Sequence, residues 1–364
     1  METSKNFSDL LIHLKRTIDM VDSLEGQSSL NNSYSLELDE SENRLLFIPV
    51  MPSAVILDGV MYQKLFKTIS LSAYPFLTFL KQASPLIIPL HNRPIATSRA
   101  FAFPYMLGTP ERISDVTLQE LMGRVKNQTI PLMTNLSIDM SKINFIAISG
   151  RSGSGKSFLA KLILYLISVF ADIWVVDPKL DEPTDTARKL GLRCLNPSKE
   201  SSSDAFLQDV SSLFAEALKI IQKRQEQQLS DRSIVFKPLY IFVDELAGLK
   251  QITDSKKVRD QFDSLLNIVA LMGRGVSVRL ILISQSWDSA TTVSTATRQQ
   301  ISLAISLGAQ NSATLQYLFP DLVGSGTDGI IIPENGKAGS GIIQITDNIH
   351  APNVMPFLSP TYLD

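Results

Sequence analysis

The sequence has little cysteine, little histidine and no excess of charge of either sign. Its single cysteine, Cys194, cannot form a disulfide within the chain, which favours a reducing, cytoplasmic location. Histidine occurs only at positions 13, 91 and 350, so the sequence excludes a zinc site built from clustered His and Cys. Lys and Arg number 34 against 36 Asp and Glu, a formal net charge of -2, so any contact with a polyanion must be local.

The sequence also shows no signal-peptide pattern and no uninterrupted membrane span. The start METSKNFSDL has no basic segment followed by an apolar block. The most apolar run, residues 158 to 176, contains Lys161 and Asp172, and we interpret it as a buried helix that runs into a buried strand. We therefore expect a chain without a membrane anchor of its own.

The length of 364 residues, with 44% hydrophobic residues, is enough for two or three domains. Residues 1–30 predict an N-terminal helix and linker, and the apolar stripe from Phe7 to Val21 either packs on its own domain or forms a coiled coil. Residues 31–110 alternate short apolar segments with Pro and polar breaks, which predicts a small α+β accessory domain. We assign residues 111–348 to a motor domain and residues 349–364 to a C-terminal tail.

Four continuous apolar runs in the larger domain each end in a polar residue. Runs of this kind are buried on both faces, which is typical of a parallel sheet covered by helices. Residues 204–227 and 259–272 lie between these runs and have helical periodicity, with Phe262, Leu266 and Met272 on the shared face of the second helix. The four runs are NFIAIS (144–149), DIWVVD (172–177), LYIFVD (239–244) and VRLILIS (278–284). The expected fold class is α/β, with a mostly parallel central sheet.

A glycine-rich loop follows the first of these strands and precedes a helix. It satisfies the pattern G-x-x-x-x-G-K-[ST] of a phosphate-binding loop. Glycines allow backbone N–H groups to turn towards phosphate oxygens, and the helix N-terminus adds partial positive charge. Lys156 would neutralise the β and γ phosphates, and Ser157 would offer its hydroxyl to Mg²⁺. The eight predicted nucleotide-binding residues are Gly150, Arg151, Ser152, Gly153, Ser154, Gly155, Lys156 and Ser157.

Four further residues predict hydrolysis of the bound nucleotide. Asp244 and Glu245 follow the third strand, where Asp244 suits the Mg²⁺ site and Glu245 can deprotonate the attacking water. Gln285 follows the fourth strand and is either a γ-phosphate sensor or a turn residue. Arg274 lies in a glycine-flanked turn, as either an arginine finger for a neighbouring subunit or a solvated charge.

These segments together resemble the motor domain of the FtsK/SpoIIIE DNA translocases, within the wider group that includes HerA and conjugative coupling proteins. The resemblance covers about residues 117 to 348, through GRSGSGKS, VVDPKLDE, YIFVDELAGL, GRGVSVRLILISQS and LVGSGTDGIII. It implies a RecA-like P-loop ATPase that uses ATP and Mg²⁺, with Glu245, Lys156, Arg274 and Gln285 as its catalytic residues. It also implies a ring, usually a hexamer, that passes double-stranded DNA through its centre.

The resemblance leaves three functions open. The first is a DNA-pumping ATPase of a plasmid, conjugative element or phage, acting in transfer, replication or packaging. The second is an ATPase that drives protein export, and the third is a nucleotide-controlled assembly protein. We expect the N-terminal domain to dock a protein partner or to steady the ring.

The DNA hypothesis requires basic residues along the path of the polymer. Candidates follow the acidic strand end within residues 249–261, and a solvated loop is an equally good explanation for them. They are Lys250, Lys256, Lys257 and Arg259.

Overall fold

The computed structural model describes residues 2–24, 33–50, 59–82, 84–198, 202–288, 292–309, 312–322, 326–346 and 353–363. The chain forms two units. Unit 1 comprises Met1–Pro110, Asp321–Pro333 and Ala351–Pro356, and unit 2 comprises Glu111–Pro320, Glu334–His350 and Phe357–Asp364. The units are therefore built from discontinuous segments, whereas the four-part division made from the sequence is linear and stays a prediction.

The helices and strands follow in chain order. The first are α1 (Glu2–Leu24), β1 (Tyr34–Asp39), β2 (Arg44–Pro49), α2 (Gly59–Ala73), β3 (Leu77–Phe79), β4 (Lys81–Gln82), β5 (Leu86–Pro89) and β6 (Arg99–Leu107). Then come β7 (Val116–Thr117), α3 (Leu118–Gly123), β8 (Thr129–Met133), β9 (Leu136–Asp139), β10 (Phe145–Gly150), α4 (Lys156–Ser168), β11 (Asp172–Val176), α5 (Glu182–Lys189), β12 (Arg193–Leu195) and α6 (Ser203–Ser230). The last are β13 (Leu239–Val243), α7 (Leu246–Gln251), α8 (Lys256–Met272), β14 (Val278–Ser284), α9 (Thr295–Arg298), β15 (Leu303–Leu307), α10 (Ser312–Leu318), β16 (Ser340–Ile345), β17 (Asn353–Leu358) and β18 (Tyr362–Leu363).

Unit 1 is an antiparallel sheet with helices packed on it. Its strands lie in the order β1-β2-β6-β3, and β5 also pairs with β6. The apolar stripe of α1 enters the same core as the sheet and α2, where Leu14 and Ile18 are buried with Phe47 and Tyr62. The predicted helix is therefore confirmed, and it packs within its own unit.

Two later segments of the chain complete unit 1. Lys81 is buried and donates a hydrogen bond of 2.7 Å to the carbonyl of Asp328, and its ammonium lies 5.5 Å from the centre of the Phe66 ring. Burial lowers the pKa of Lys81 to about 8. Asn353 and Val354 of β17 pair with β4. Residues 326–332 of the family-like segment LVGSGTDGIII thus belong to unit 1, while residues 323–325 lie outside the described part of the chain.

Unit 2 contains the predicted parallel sheet. Its strands lie in the order β12-β11-β13-β14-β10-β15-β16, all parallel except β16, which is antiparallel to β15. The four predicted strands are β10, β11, β13 and β14, and every residue of β10, β13 and β14 is buried. The apolar run 158–176 forms most of α4 and all of β11, as predicted. Among the described residues, no helix combines the length and apolar character that crossing a bilayer requires.

The structure corrects one local expectation. Met272 is 40% exposed, although Phe262, Leu266 and Val269 on α8 are buried as predicted. Met272 is the last residue of the helix, and the chain turns away at Gly273, where a Cβ atom would lie 2.3 Å from the carbonyl oxygen of Val278. The predicted C-terminal tail contains strands β17 and β18.

Candidate functional site

The carboxyl ends of neighbouring parallel strands bring the predicted site residues together. Strands β11, β13, β14 and β10 are adjacent in that order, so their following loops share one edge of the sheet. Those loops carry Asp177, Asp244, Gln285 and the glycine-rich segment. Ligands of open parallel sheets bind at this edge.

The glycine-rich loop has the geometry of an anion cradle. Gly155 has a φ of 95°, and a Cβ atom there would lie 2.8 Å from the backbone nitrogen of Gly339. Gly339 itself donates a hydrogen bond of 2.8 Å to the carbonyl of Ser154. The N-cap residue of α4 is Gly155, which has no side chain to cap the helix, so the first N–H groups of α4 are directed at the loop. The buried hydroxyl of Ser154 has no hydrogen-bond partner within the described part of the chain.

Lys156 begins α4 and folds back over the loop. Its ammonium donates hydrogen bonds to the carbonyls of Gly150 and Arg151, the latter at 3.2 Å. Burial lowers the pKa of Lys156, and the nearby Glu245 carboxylate opposes that effect. Arg151, Ser152, Gly153 and Ser157 are exposed. The loop therefore presents one half-buried cation and an exposed serine hydroxyl.

Glu245 is held by residues from two other strand ends. Its Oε2 atom accepts hydrogen bonds from Lys179 Nζ at 2.9 Å and from Gln285 Nε2 at 3.1 Å. Its Oε1 atom accepts a hydrogen bond of 3.2 Å from the backbone N–H of Gln285. Burial alone would raise the pKa of Glu245, but the bonds from Lys179 and Gln285 hold that pKa below its usual range. The carboxylate is thus buried, ionised and fixed in orientation.

Asp244 lies beside Glu245 in a different electrostatic environment. Burial raises the pKa of Asp244 to about 6, against the lowering effect of the Lys179 ammonium. Both carboxylates and the Lys156 and Lys179 ammonium groups influence one another. Two acids and two cations therefore meet at one sheet edge.

Lys179 is the site residue whose role the sequence did not reveal. The sequence placed Asp177, Pro178 and Lys179 directly after β11, and that position at the shared edge was the available signal. Asp177 is fully buried, and its carboxylate accepts hydrogen bonds of 2.9 Å from the backbone N–H groups of Lys179 and Asp181. It also accepts the hydroxyl of Thr184 at 2.6 Å. Asp177 therefore fixes the loop that presents Lys179 to Glu245.

Arg274 lies at the opposite end of its strand from the other site residues. It precedes β14, whereas Gln285 follows it, and a strand of this length spans roughly 20 Å. Its turn is held from α6, because Arg224 donates to the carbonyl of Val276 at 2.8 Å and Gln228 donates to that of Gly275 at 3.2 Å. The structure does not bring Arg274 to the phosphate loop of its own chain.

The basic residues after the acidic strand end differ in accessibility. Lys250 is buried, forms an ion pair of 2.9 Å with Asp263, and donates to the carbonyl of Thr292. The prediction that Lys250 could contact a polymer is therefore wrong, because its side chain is buried. Lys256 and Lys257 are exposed in the first turn of α8, and Arg259 is partly buried and bonded to the carbonyl of Thr253.

The donor set fits Mg²⁺ bound together with phosphate. The two residues that would hold it are Asp244 and Ser157, a carboxylate and a hydroxyl beside the anion cradle. Mg²⁺ is commonly held by one or two carboxylates plus substrate phosphates and waters. Within the described residues, no group of three or more His, Cys, Asp or Glu side chains could hold a metal ion by itself.

Comparison with solved structures identifies the fold. The structure of the pCW3 conjugation coupling protein TcpA, a monomer with ATPγS, matches with a TM-score of 0.51 and 15% identity over 91% of this chain and 88% of that one. The chain has a RecA-like P-loop fold.

Two further structures are similar over less of this chain. They are the cytoplasmic domain of EssC (TM-score 0.48, 15% identity, 71% of this chain and 49% of that one) and the genome packaging NTPase B204 of Sulfolobus turreted icosahedral virus 2 with AMPPCP (TM-score 0.35, 14% identity, 61% and 99%). No family model and no curated protein matches the sequence.

Two glycines of the loop provide a matched test of the cradle. Gly155→Ala should abolish detectable nucleotide binding, because the added Cβ meets the Gly339 backbone. Gly153→Ala also has a positive φ but has no atom within 4 Å of the added Cβ. Its cost is the backbone strain of about 1–2 kcal/mol, which destabilises the folded chain with or without nucleotide, so its affinity should stay close to that of the wild type. Titration with a fluorescent ATP analogue measures both variants, and equal losses would contradict the steric argument.

Proposed function

We propose that the chain is an ATP-hydrolysing motor that translocates double-stranded DNA. The observation that carries the enzymatic part is the fixed Glu245 carboxylate, held by Lys179 and Gln285 at the sheet edge that also carries the phosphate loop. A protein that only bound a nucleotide would not need a buried, oriented base at that edge. The structural similarity to TcpA supports the fold on which this arrangement is built.

The site residues divide the work of hydrolysis between them. The backbone of residues 150–155 and the ammonium of Lys156 bind the phosphates, and Ser157 and Asp244 would hold Mg²⁺. Bound Mg²⁺ supplies neutralisation of the charge that develops on the phosphates. Glu245 takes a proton from water as the water oxygen bonds to the γ-phosphorus, and the bond to the bridging oxygen breaks to give ADP and phosphate. Gln285 orients Glu245, and we propose that it also senses the γ-phosphate.

Arg274 is proposed to act on a neighbouring subunit. Because β14 separates it from the site of its own chain, an arginine finger at this position must work between subunits. The adjoining surface of α6 is suited to such a contact, with Leu229 strongly exposed and a cleft of about 450 Å³ lined by Gln225, Gln228, Leu229 and Arg232. A closed ring places one such seam at every site, and we propose a cytoplasmic hexamer.

DNA is proposed as the polymer on two grounds. The sequence resembles FtsK/SpoIIIE motors through several strand ends, and TcpA is described as a conjugation coupling protein. The exposed Lys256 and Lys257 offer a local basic contact that ring symmetry would repeat. A role in DNA transfer, replication or packaging for a plasmid, conjugative element or phage follows from this proposal.

The first functional prediction concerns the base. Glu245→Gln should bind ATP as the wild type does but lose turnover by about 10²-fold or more, because the amide cannot accept the proton from water. The exposed Glu42→Gln, in the turn between β1 and β2, serves as the control and should keep full activity. ATP turnover is measured without polymer, with double-stranded DNA, with single-stranded DNA and with unfolded secretory polypeptides. Stimulation by polypeptide alone would favour protein export, and no stimulation by any polymer would favour an assembly protein.

The second functional prediction concerns Arg274. Arg274→Ala and Lys156→Ala should each be inactive alone, the former by about 10³-fold or more. Mixed together, they should regain activity, because Lys156→Ala subunits supply Arg274 to the intact phosphate loops of their neighbours. Turnover across a series of mixing ratios measures this. Inactive mixtures that still form rings by light scattering would remove Arg274 from the seam.

The third functional prediction concerns the DNA contact. Lys256→Glu combined with Lys257→Glu should abolish stimulation of turnover by DNA and leave basal turnover unchanged, because the charges lie outside the nucleotide site. Lys219→Glu combined with Lys223→Glu reverses two exposed charges on α6 and is the matched control. DNA-stimulated turnover over a range of salt concentrations is the measurement. Unchanged stimulation in the first variant would remove these lysines from the DNA path.

A further inference from the structure

An aromatic pair lies beside the phosphate loop. Phe158, in the first turn of α4, stacks on Tyr362 of β18 with ring centroids 4.5 Å apart and an interplanar angle of 27°. Lys161, one turn further along α4, places its ammonium 5.7 Å from the centre of the Tyr362 ring. Phe158 and Tyr362 are both partly exposed. Phe158 thus differs from the other apolar side chains of α4, Leu159, Ala160 and those of residues 162–167, which are buried.

The C-terminal segment is fixed in this position by backbone contacts. Tyr362 and Leu363 pair with Val116 and Thr117 of β7, and the N–H of Thr361 donates to the carbonyl of Ile113 at 2.8 Å. The N–H of Ser359 donates to the carbonyl of Gly339, the residue that touches Gly155. The segment that ends in Tyr362 therefore adjoins the phosphate loop as part of the same unit.

Arg112 joins these pieces. Its guanidinium donates to the carbonyl of Ser359 and to the Glu334 carboxylate at 3.0 Å, and it also reaches the carbonyl of Ala338 at 3.3 Å. The side of the loop formed by Gly339 and the C-terminal segment is thus a braced surface. A flat ligand bound there would contact a surface that is held by the hydrogen bonds of Arg112.

The direction in which a nucleotide lies along the loop determines which part of it reaches Phe158 and Tyr362. Lys156 addresses the β and γ phosphates, and the N–H groups of the first helical turn address the α phosphate. Phe158 lies two residues beyond Lys156 in that turn. The ribose and base leave the phosphate chain at its α end, so they leave towards Phe158. Aromatic rings bind flat bases by stacking.

We propose that Phe158, supported by Tyr362, is the stacking surface for the purine base of the bound nucleotide, and that the C-terminal strand thereby completes the site. This inference rests on the proposed ATPase function. Stacking recognises a flat ring and does not read its edge, so adenine and guanine nucleotides share the benefit.

The test compares nucleotides with a ligand that has phosphates and no base. Phe158→Leu keeps an apolar side chain but removes the flat ring, and it should weaken binding of Mg²⁺-ATP and Mg²⁺-GTP by about tenfold. Binding of Mg²⁺-tripolyphosphate should not change. Phe158→Trp should retain nucleotide affinity. Phe170→Leu, near the other end of the same helical segment, is the control, and isothermal titration calorimetry on the full chain measures all ligands.

Each outcome bears on one proposal. Unchanged ATP affinity in Phe158→Leu, with normal binding by the wild type, would overturn the stacking role and leave the ATPase proposal intact. An equal loss of ATP and tripolyphosphate binding would also overturn it, because the defect would then lie in the phosphate loop. If the wild type binds neither ligand better than Lys156→Ala does, the proposed function itself fails.

Discussion

The burial of opposite charges at one end of the parallel sheet is the constraint on which the candidate site depends. Glu245, Asp244, Lys156 and Lys179 lie close enough to shift one another's pKa values, and a buried charge is costly unless it is paired and hydrogen-bonded. Lys179 and Gln285 offset that cost for Glu245, because they donate hydrogen bonds to its carboxylate. Asp244 is less completely compensated, because burial raises its pKa despite the nearby Lys179 ammonium.

This charge cluster is assembled from loops that are far apart in sequence. The loop after β11 is fixed by Asp177, whose carboxylate caps the backbone of residues 179–184, and only then can Lys179 reach Glu245. Gln285 donates hydrogen bonds to the Glu245 carboxylate from both its backbone N–H and its side-chain amide. The sheet therefore selects the residues of the site, because the lateral order β11-β13-β14 determines which loops become neighbours.

The opposite end of the same sheet has a different role. Arg224 and Gln228 hold the turn that carries Arg274, and that turn faces away from the phosphate loop of its own chain. If Arg274 is the finger, as we propose, the base and phosphate loop at one end of the sheet would be completed only by a second subunit. Residues far along the sequence also support the phosphate loop. Gly339 and the C-terminal segment both follow α10; Gly339 donates to the carbonyl of Ser154, and Ser359 donates to the carbonyl of Gly339.

The sequence by itself determined the parts that depend on local pattern. Continuous apolar runs predicted β10, β11, β13 and β14, and the spacing of glycines and Lys156 predicted the loop before α4. Both features depend on residues that are close together in the sequence. Tertiary structure alone decided that Lys179 holds Glu245, that Lys250 is buried against Asp263, and that Tyr362 stacks on Phe158. These contacts join residues from 13 to more than 200 positions apart, and periodicity within a segment carries no information about which loop lies beside it in space.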